Sequence, residues 1–227
     1  MNERGKQVVV LCSGGQDSAT CLRWAANRWE QVYTIAFDYG QRHRVELEAA
    51  ASLAKLVGVV EHRVLPVSAL AALAGNALTG SDMVRTETNA RSGLPNTFVP
   101  GRNLIFLTLA AAWAYQLGTS DLVTGVCQTD YSGYPDCRES TIAALSQTLQ
   151  AGMEYPFTIH TPLMHITKAQ SIELIRQEGG LELLAHTHTC YNGAVPPCGE
   201  CSACILRARG FSAAGIPDPL LERLGRV

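Results

Sequence analysis

The sequence predicts an α/β fold: a Rossmann-like parallel sheet with helices on its faces and a small C-terminal metal-binding motif. Three observations carry this prediction. Short β-branched runs alternate with helical stretches along most of the chain, a glycine-rich loop follows the first such run, and four cysteines crowd between positions 190 and 204. Strand–helix alternation of this kind builds right-handed crossovers and a parallel sheet. Residues 1–184 are expected to form the α/β domain. Residues 185–227 are expected to form the metal-binding segment packed on it, the two together making one structural unit.

Each element has its own signal. KQVVVL at 6–11 is an apolar, β-branched run suited to a strand buried on both faces. The loop SGGQDS follows, and 19–28 reads as a helix. QVYTIAF at 31–37 is a second strand. The alanine-rich stretch 45–57 reads as a helix closed by Gly58, and 61–65 is a third strand. Residues 75–102 show little periodicity and many Gly, Asn, Thr and Pro, the character of a long binding loop or lid. Residues 104–117 follow as a buried helix and 121–126 as another strand. A polar, aromatic-bearing loop spans 128–138, a helix 140–152 and a short extended segment 157–160. Thr167 and Gln170 form the capping box of a further helix, ended by Gly179 and Gly180.

Composition narrows the function classes. The chain has 227 residues, 47% hydrophobic, with a formal net charge of −2. That is enough apolar matter for a full core, and there is no basic stripe of the kind a nucleic-acid backbone demands. The longest apolar run, 104–115, falls short of the ~20 residues a membrane-spanning helix requires. No secretion signal is read at the N-terminus, so a cytoplasmic location is expected, with no membrane and no nucleic acid as direct partners.

The loop Ser13-Gly14-Gly15-Gln16-Asp17-Ser18 sits between a strand and a helix. Paired glycines let the backbone turn tightly with its N–H groups inward, and the next helix adds its amides and positive dipole end. Phosphate binding follows, with Ser13 and Ser18 as hydroxyl donors. Asp17 repels an anion, so its expected role is to hold a Mg²⁺ bridging phosphate oxygens. An ordinary turn in which Asp17 and Ser18 merely cap the helix is the plainer alternative. Neither the Walker pattern GxxxxGK[ST] nor GxGxxG after a strand occurs.

Cys190, Cys198, Cys201 and Cys204 give C-x7-C-x2-C-x2-C. Thiolates at these spacings converge on one ion, and four of them complete a tetrahedral Zn²⁺ with no open position, hence a structural site. Iron is the rival metal, although the C-x3-C-P completion of the bacterial iron–sulfur pattern is missing. His186 and His188 are read as non-ligands because four cysteines already fill the site.

SGGQDS resembles the loop of the PP-loop ATP pyrophosphatases (adenine nucleotide alpha hydrolase-like), a superfamily that includes GMP synthetase, asparagine synthetase and several tRNA-modifying enzymes. With it come FDYGQRH at 37–43, FVPGRN at 98–103, GVCQTDYSGYPDCR at 125–138, TPLM at 161–164 and CYNG at 190–193. In this order, ahead of three further cysteines, they resemble the QueC family, the 7-cyano-7-deazaguanine synthases of queuosine biosynthesis. The resemblance runs from Val8 to about Gly210. Residues 70–95 and the C-terminal tail carry no family signal.

The resemblance implies an ATP-dependent conversion of 7-carboxy-7-deazaguanine and ammonia into the nitrile by adenylation of the carboxylate and then of the amide. It also implies a homodimer. Under it, Cys12, Ser13, Gly14, Gly15, Gln16, Asp17, Ser18, Ala19 and Thr20 hold the nucleotide, and Phe37 and Asp38 flank the adenine. Lys168 reaches phosphate oxygens; its plain alternative is a solvated first-turn lysine. Arg102, Arg138 or Arg42 pairs with the substrate carboxylate. Asp130 or Asp136 accepts from the base, Tyr131 or Tyr134 stacks on it, and His43 is an acid/base or a loop contact. Asp17, Lys168 and Arg102 are the expected catalytic groups. A PP-loop tRNA-thiolating enzyme is the alternative reading; a non-catalytic nucleotide sensor is a third.

Overall fold

The computed structural model describes residues 5–73, 77–79, 93–129 and 134–226. Five parallel strands lie in the order β3-β2-β1-β4-β5. They are β1 (Gly5–Leu11), β2 (Trp29–Asp38), β3 (Glu61–Pro66), β4 (Asp121–Val123) and β5 (Thr158–His160). The chain steps outward from β1 to β3, then crosses back to lay β4 on the other side of β1. That reversal opens a crevice beyond the carboxyl ends of β1 and β4, where ligands of such sheets bind.

Alternation along β1 divides the core. Val8 and Val10 face one layer with helices α1 (Gln16–Ala26), α2 (Val45–Val57) and α6 (Lys168–Gln177). Val9 faces the other, with α4 (Arg102–Leu117) and α5 (Glu139–Met153). All three valines are fully buried. Each contributes roughly 1.5–3 kcal/mol over an exposed position, so a charge at any of them would split the layers. The C-terminal segment adds α7 (Ser202–Ala214) against α6 and α8 (Pro219–Arg223) against a 3-10 turn at Leu181–His186.

Helix α2 spans the predicted residues and ends on Gly58 in the left-handed region, φ 76°. The capping box is present: the Thr167 side chain accepts from the Gln170 amide, while Gln170 Oε1 accepts from the Thr167 amide at 2.8 Å. Several boundaries differ from expectation by one to three residues, and three of these differences shape the site. Helix α1 begins at Gln16 rather than 19, because Gly15 is its extended N-cap and the loop residues themselves form the first turn. Strand β4 stops at Val123 rather than 126; the apolar residues beyond it are buried under the site instead of in the ladder. Arg102 opens α4 instead of closing a loop, and a short helix α3 (Ala69–Ala72) precedes the stretch 75–102, much of which lies outside the described residues. Among the described residues, no helix is long and apolar enough to cross a membrane.

Candidate active site and metal centre

The glycine-rich loop is clamped from two sides. The Gly14 carbonyl accepts from the His188 amide at 2.9 Å, and α2 presses on the opposite face. Ser18 Oγ donates to the Gly15 carbonyl at 2.9 Å and lies 3.3 Å from Ser13 Oγ, so the two hydroxyls share one corner. The Ala19 amide already bonds the Gly15 carbonyl. The amides of the first helical turn before it are the donors that an α-helix start leaves unpaired. Lys168 Nζ donates to both carboxylate oxygens of Asp17, at 2.9 and 2.6 Å. Burial pushes the Cys12 thiol up to about 11, which keeps it neutral beneath the loop.

Beyond the strand ends lies a cavity of about 260 Å³. Its floor carries Ser13, Asp17 and Ser18; its walls carry Phe37, Tyr39, Arg102, Phe106, Tyr134 and Tyr191. Phe37 stacks on Phe106 with centroids 4.1 Å apart and planes at 10°, giving a flat apolar wall. The Arg102 guanidinium lies 5.8 Å from the rings of both Tyr39 and Tyr134 and donates to Tyr39 Oη at 3.4 Å. Among the described residues it has no carboxylate at ion-pair distance. Burial raises the Tyr39 and Tyr191 phenols well above their ordinary value, so both remain neutral hydroxyls. Asp136 accepts from the Asn103 amide at 3.1 Å and so caps the helix that carries Arg102.

The opposite wall holds His43 and Glu46. His43 Nε2 lies 3.2 Å from Glu46 Oε2, and Gln41 Nε2 donates to Glu46 Oε1 at 3.0 Å. Gln41 is itself fixed, accepting from the Tyr39 amide at 2.8 Å and donating to the Phe37 carbonyl at 3.0 Å.

Near the C-terminus the sulfurs of Cys190, Cys198, Cys201 and Cys204 lie within 4.8 Å of one another. Tetrahedral Zn–S bonds of about 2.3 Å put sulfurs about 3.8 Å apart; Cys198 Sγ and Cys204 Sγ are at 3.9 Å. The donor set therefore fits a four-thiolate metal site. The hydrogen bond between Cys201 and Cys204 lowers the Cys201 thiol and raises that of Cys204, so the two share one proton between them.

Comparison with known proteins places the chain. The family model for queuosine biosynthesis protein QueC matches residues 7–215. The chain belongs to the QueC family. The 7-cyano-7-deazaguanine synthase of Laribacter hongkongensis (strain HLHK9) is 57% identical over 223 residues, covering 98% of this chain and 97% of the relative. That of Chromobacterium violaceum is 56% identical over 221 residues, 96% and 94% of the two chains. Similar solved structures include a predicted tRNA methyltransferase subunit from Methanocaldococcus jannaschii (TM-score 0.45, 18% identity, 77% and 88% of the two chains). Another is the NH3-dependent NAD synthetase of Campylobacter jejuni (TM-score 0.40, 14% identity, 92% and 88%). Neither likeness is close enough to carry an argument.

In this QueC chain, several expected site residues meet in the one cavity: Cys12, Ser13, Asp17, Ser18, Phe37, His43, Arg102 and Tyr134 all line it. Others do not. Asp38 turns away to accept from Arg44 at 2.5 Å, and Asp136 is occupied as a cap. Ala19 and Thr20 point into the core, Thr20 Oγ1 bonding back to the Gln16 carbonyl at 3.1 Å. Arg138 lines a neighbouring cavity with Cys127 and Gln128, while Arg42 lines neither. Asp130 and Tyr131 lie outside the described residues. Four wall residues were not singled out from sequence: Tyr39, Glu46, Phe106 and Tyr191. Tyr39 and Tyr191 stand inside the quoted motifs FDYGQRH and CYNG, which was the available signal. Glu46 looks like any first-turn acid, and Phe106 like any core residue.

Proposed function

We propose that this chain converts 7-carboxy-7-deazaguanine, ammonia and ATP into 7-cyano-7-deazaguanine. One observation carries the reading beyond family membership: the glycine-rich loop and an arginine with no carboxylate at ion-pair distance among the described residues face the same cavity at the sheet's switch point. A carboxylate is a poor electrophile, and its oxygen leaves poorly. Its attack on the α-phosphorus of ATP expels pyrophosphate and turns that oxygen into part of a good leaving group. Ammonia then displaces AMP to give the amide, and a second adenylation lets the amide oxygen depart, leaving C≡N.

The residues take their roles from this chemistry. The first-turn amides with Ser13 and Ser18 hold the leaving phosphates, and Lys168 offsets Asp17 so that a carboxylate can stand beside them. Arg102 grips the substrate carboxylate, helped by the neutral hydroxyl of Tyr39. The Phe37–Phe106 wall and Tyr134 receive the planar rings. Mg²⁺, when bound with the nucleotide, neutralises phosphate charge. Asp17 would be the loop carboxylate that helps to hold it, in keeping with an ion that keeps most of its ligands from water and phosphate. The cysteine site would hold Zn²⁺ in a closed, structural role. We also take 1–184 and 185–227 to be one unit, and the active form to be a homodimer in the cytoplasm. The tRNA-thiolating alternative has no support in the family match.

The test is product analysis by mass spectrometry after incubation with 7-carboxy-7-deazaguanine, ammonium and Mg-ATP. Nitrile with AMP and pyrophosphate is expected. In Arg102→Met, kcat/KM for the carboxylate should fall on the order of 10²-fold or more, as for a lost charge-assisted contact at a reacting group. No nitrile from metal-loaded protein would overturn the substrate assignment.

A further inference from the structure

Ammonium is protonated at neutral pH and cannot attack an acyl adenylate until it gives up a proton. The reaction proposed above therefore needs a place where ammonium is held and relieved of one. We propose that the His43–Glu46 pair on the cavity wall is that place, with His43 Nδ1 as the proton acceptor; this inference rests on the adenylation reading.

The geometry has the form of a carboxylate-oriented base. Glu46 is fixed at both oxygens, by Gln41 at 3.0 Å and by His43 Nε2 at 3.2 Å. An ionised carboxylate only accepts, so Nε2 carries the ring proton and Nδ1 is left as a lone-pair acceptor. His43 is 3% exposed, and its Nδ1 is buried with no partner among the described residues. An unpartnered buried acceptor costs about 1–3 kcal/mol, a cost that a bound donor would offset. Both residues line the same cavity as Asp17 and Arg102. Tyr39 Oη accepts from Arg102 at 3.4 Å, and the Tyr39 amide donates to Gln41, which in turn donates to Glu46, so Tyr39 links the carboxylate-binding side to the proposed ammonium side.

A small cation also suits this wall. The Tyr191 ring lies 5.7 Å from the His43 ring, and aromatic faces with one carboxylate attract ammonium more than a neutral solute. The titratable groups facing His43 are Glu46 from the first turn of α2, which follows it, with His188 just before Cys190 and Tyr191 just after it. The step balances. Ammonium gives one proton to Nδ1, and the freed pair on nitrogen forms the C–N bond. The C–O bond breaks with its electrons going to AMP, and the second proton shed by nitrogen goes to the departing phosphate or to water. His43 returns its proton to solvent before the next cycle.

His43→Gln keeps a donor toward Glu46 but cannot take a proton. Wild-type protein is first tested for carboxylate-dependent exchange of pyrophosphate into ATP without ammonium. Its absence overturns the adenylation reading rather than this one. In His43→Gln, kcat/KM for ammonium should fall about 10²-fold and rise with pH in step with free ammonia. Turnover with hydroxylamine, which is unprotonated at neutral pH and yields the hydroxamate, should stay within a few-fold of wild type. Equal loss with both nucleophiles, or no loss with either, overturns the proposal. Should His43→Gln fail to fold, Glu46→Gln is read the same way, with a smaller fall for ammonium and none for hydroxylamine.

Discussion

Gly14 and Gly15 are adjacent and chemically identical, yet their surroundings make different demands on them. Gly14 has φ +88°, and a Cβ there would lie 2.1 Å from the Glu46 carbonyl oxygen and 2.8 Å from the Ala50 amide nitrogen. Both obstacles are backbone in α2 and cannot swing aside. Gly15 is extended, and its Cβ would meet nothing nearer than 3.6 Å. Sequence reading had to treat the pair as one turn. The structure separates a glycine required by close approach from one whose surroundings leave ordinary space for a side chain. Gly14→Ala is expected to lose about 2–4 kcal/mol from strain and overpacking, and to raise the KM for Mg-ATP as the loop shifts. Gly15→Ala should fold within about 1 kcal/mol of wild type. Urea unfolding of the two variants side by side checks this; equal stabilities would remove α2 from the account of the loop.

At the scale of elements, the glycine-rich loop depends on a contact between two helices far from it in sequence. Gly210 on α7 faces the stem of Lys168 at the start of α6: a Cβ there would lie 2.5 Å from Lys168 Cγ and 3.1 Å from its Cβ. Lys168 in turn holds Asp17. Gly210→Ala should therefore lift Lys168 from its seat, costing about 1–3 kcal/mol and raising the KM for Mg-ATP several-fold. The KM for ammonium should be unmoved, which a merely loosened fold would not produce. Steady-state kinetics in each substrate tests it, and a rise in both KM values would count against the seat. This contact was not legible in the sequence, whereas α2 and the capping box of α6 were, because they announce themselves locally through Gly58 and through Thr167 with Gln170. Helix α7 does not. It carries one cysteine of the cluster, Cys204, after Cys201 as its N-cap, and the buried Arg207, and it ends in a string of small residues, so no apolar stripe marks its inner face. Strands of three residues such as β4 and β5 are likewise too short for a period to show.

Across the whole molecule, the cysteine spacing was readable as a metal site, but its reach was not. Cys190 is followed at once by Tyr191 in the cavity wall, and the residues just before it hold the Gly14 carbonyl through His188. From Cys201 and Cys204 springs α7, which carries Gly210 to Lys168. The same helix bears Arg207, whose guanidinium donates to Asp218 at 2.6 and 2.7 Å and to Thr187 Oγ1 at 2.7 Å, tying α8 and the approach to the knuckle together. An ion in this site is thus fastened to the loop, the lysine and the tyrosine at once, and metal affinity is linked to folding wherever the apo site is less ordered. Cys198→Ser, or prolonged chelation, should lower the melting temperature markedly. It should also weaken Mg-ATP binding at temperatures where the sheet is still folded by far-ultraviolet circular dichroism. Metal analysis of the untreated protein should find close to one zinc per chain, and iron in its place would revise the ion without touching the mechanical argument. Retained nucleotide affinity in a fully metal-free, folded protein would show that the knuckle stabilises its own segment only, and that Lys168 and Tyr191 are held by packing alone.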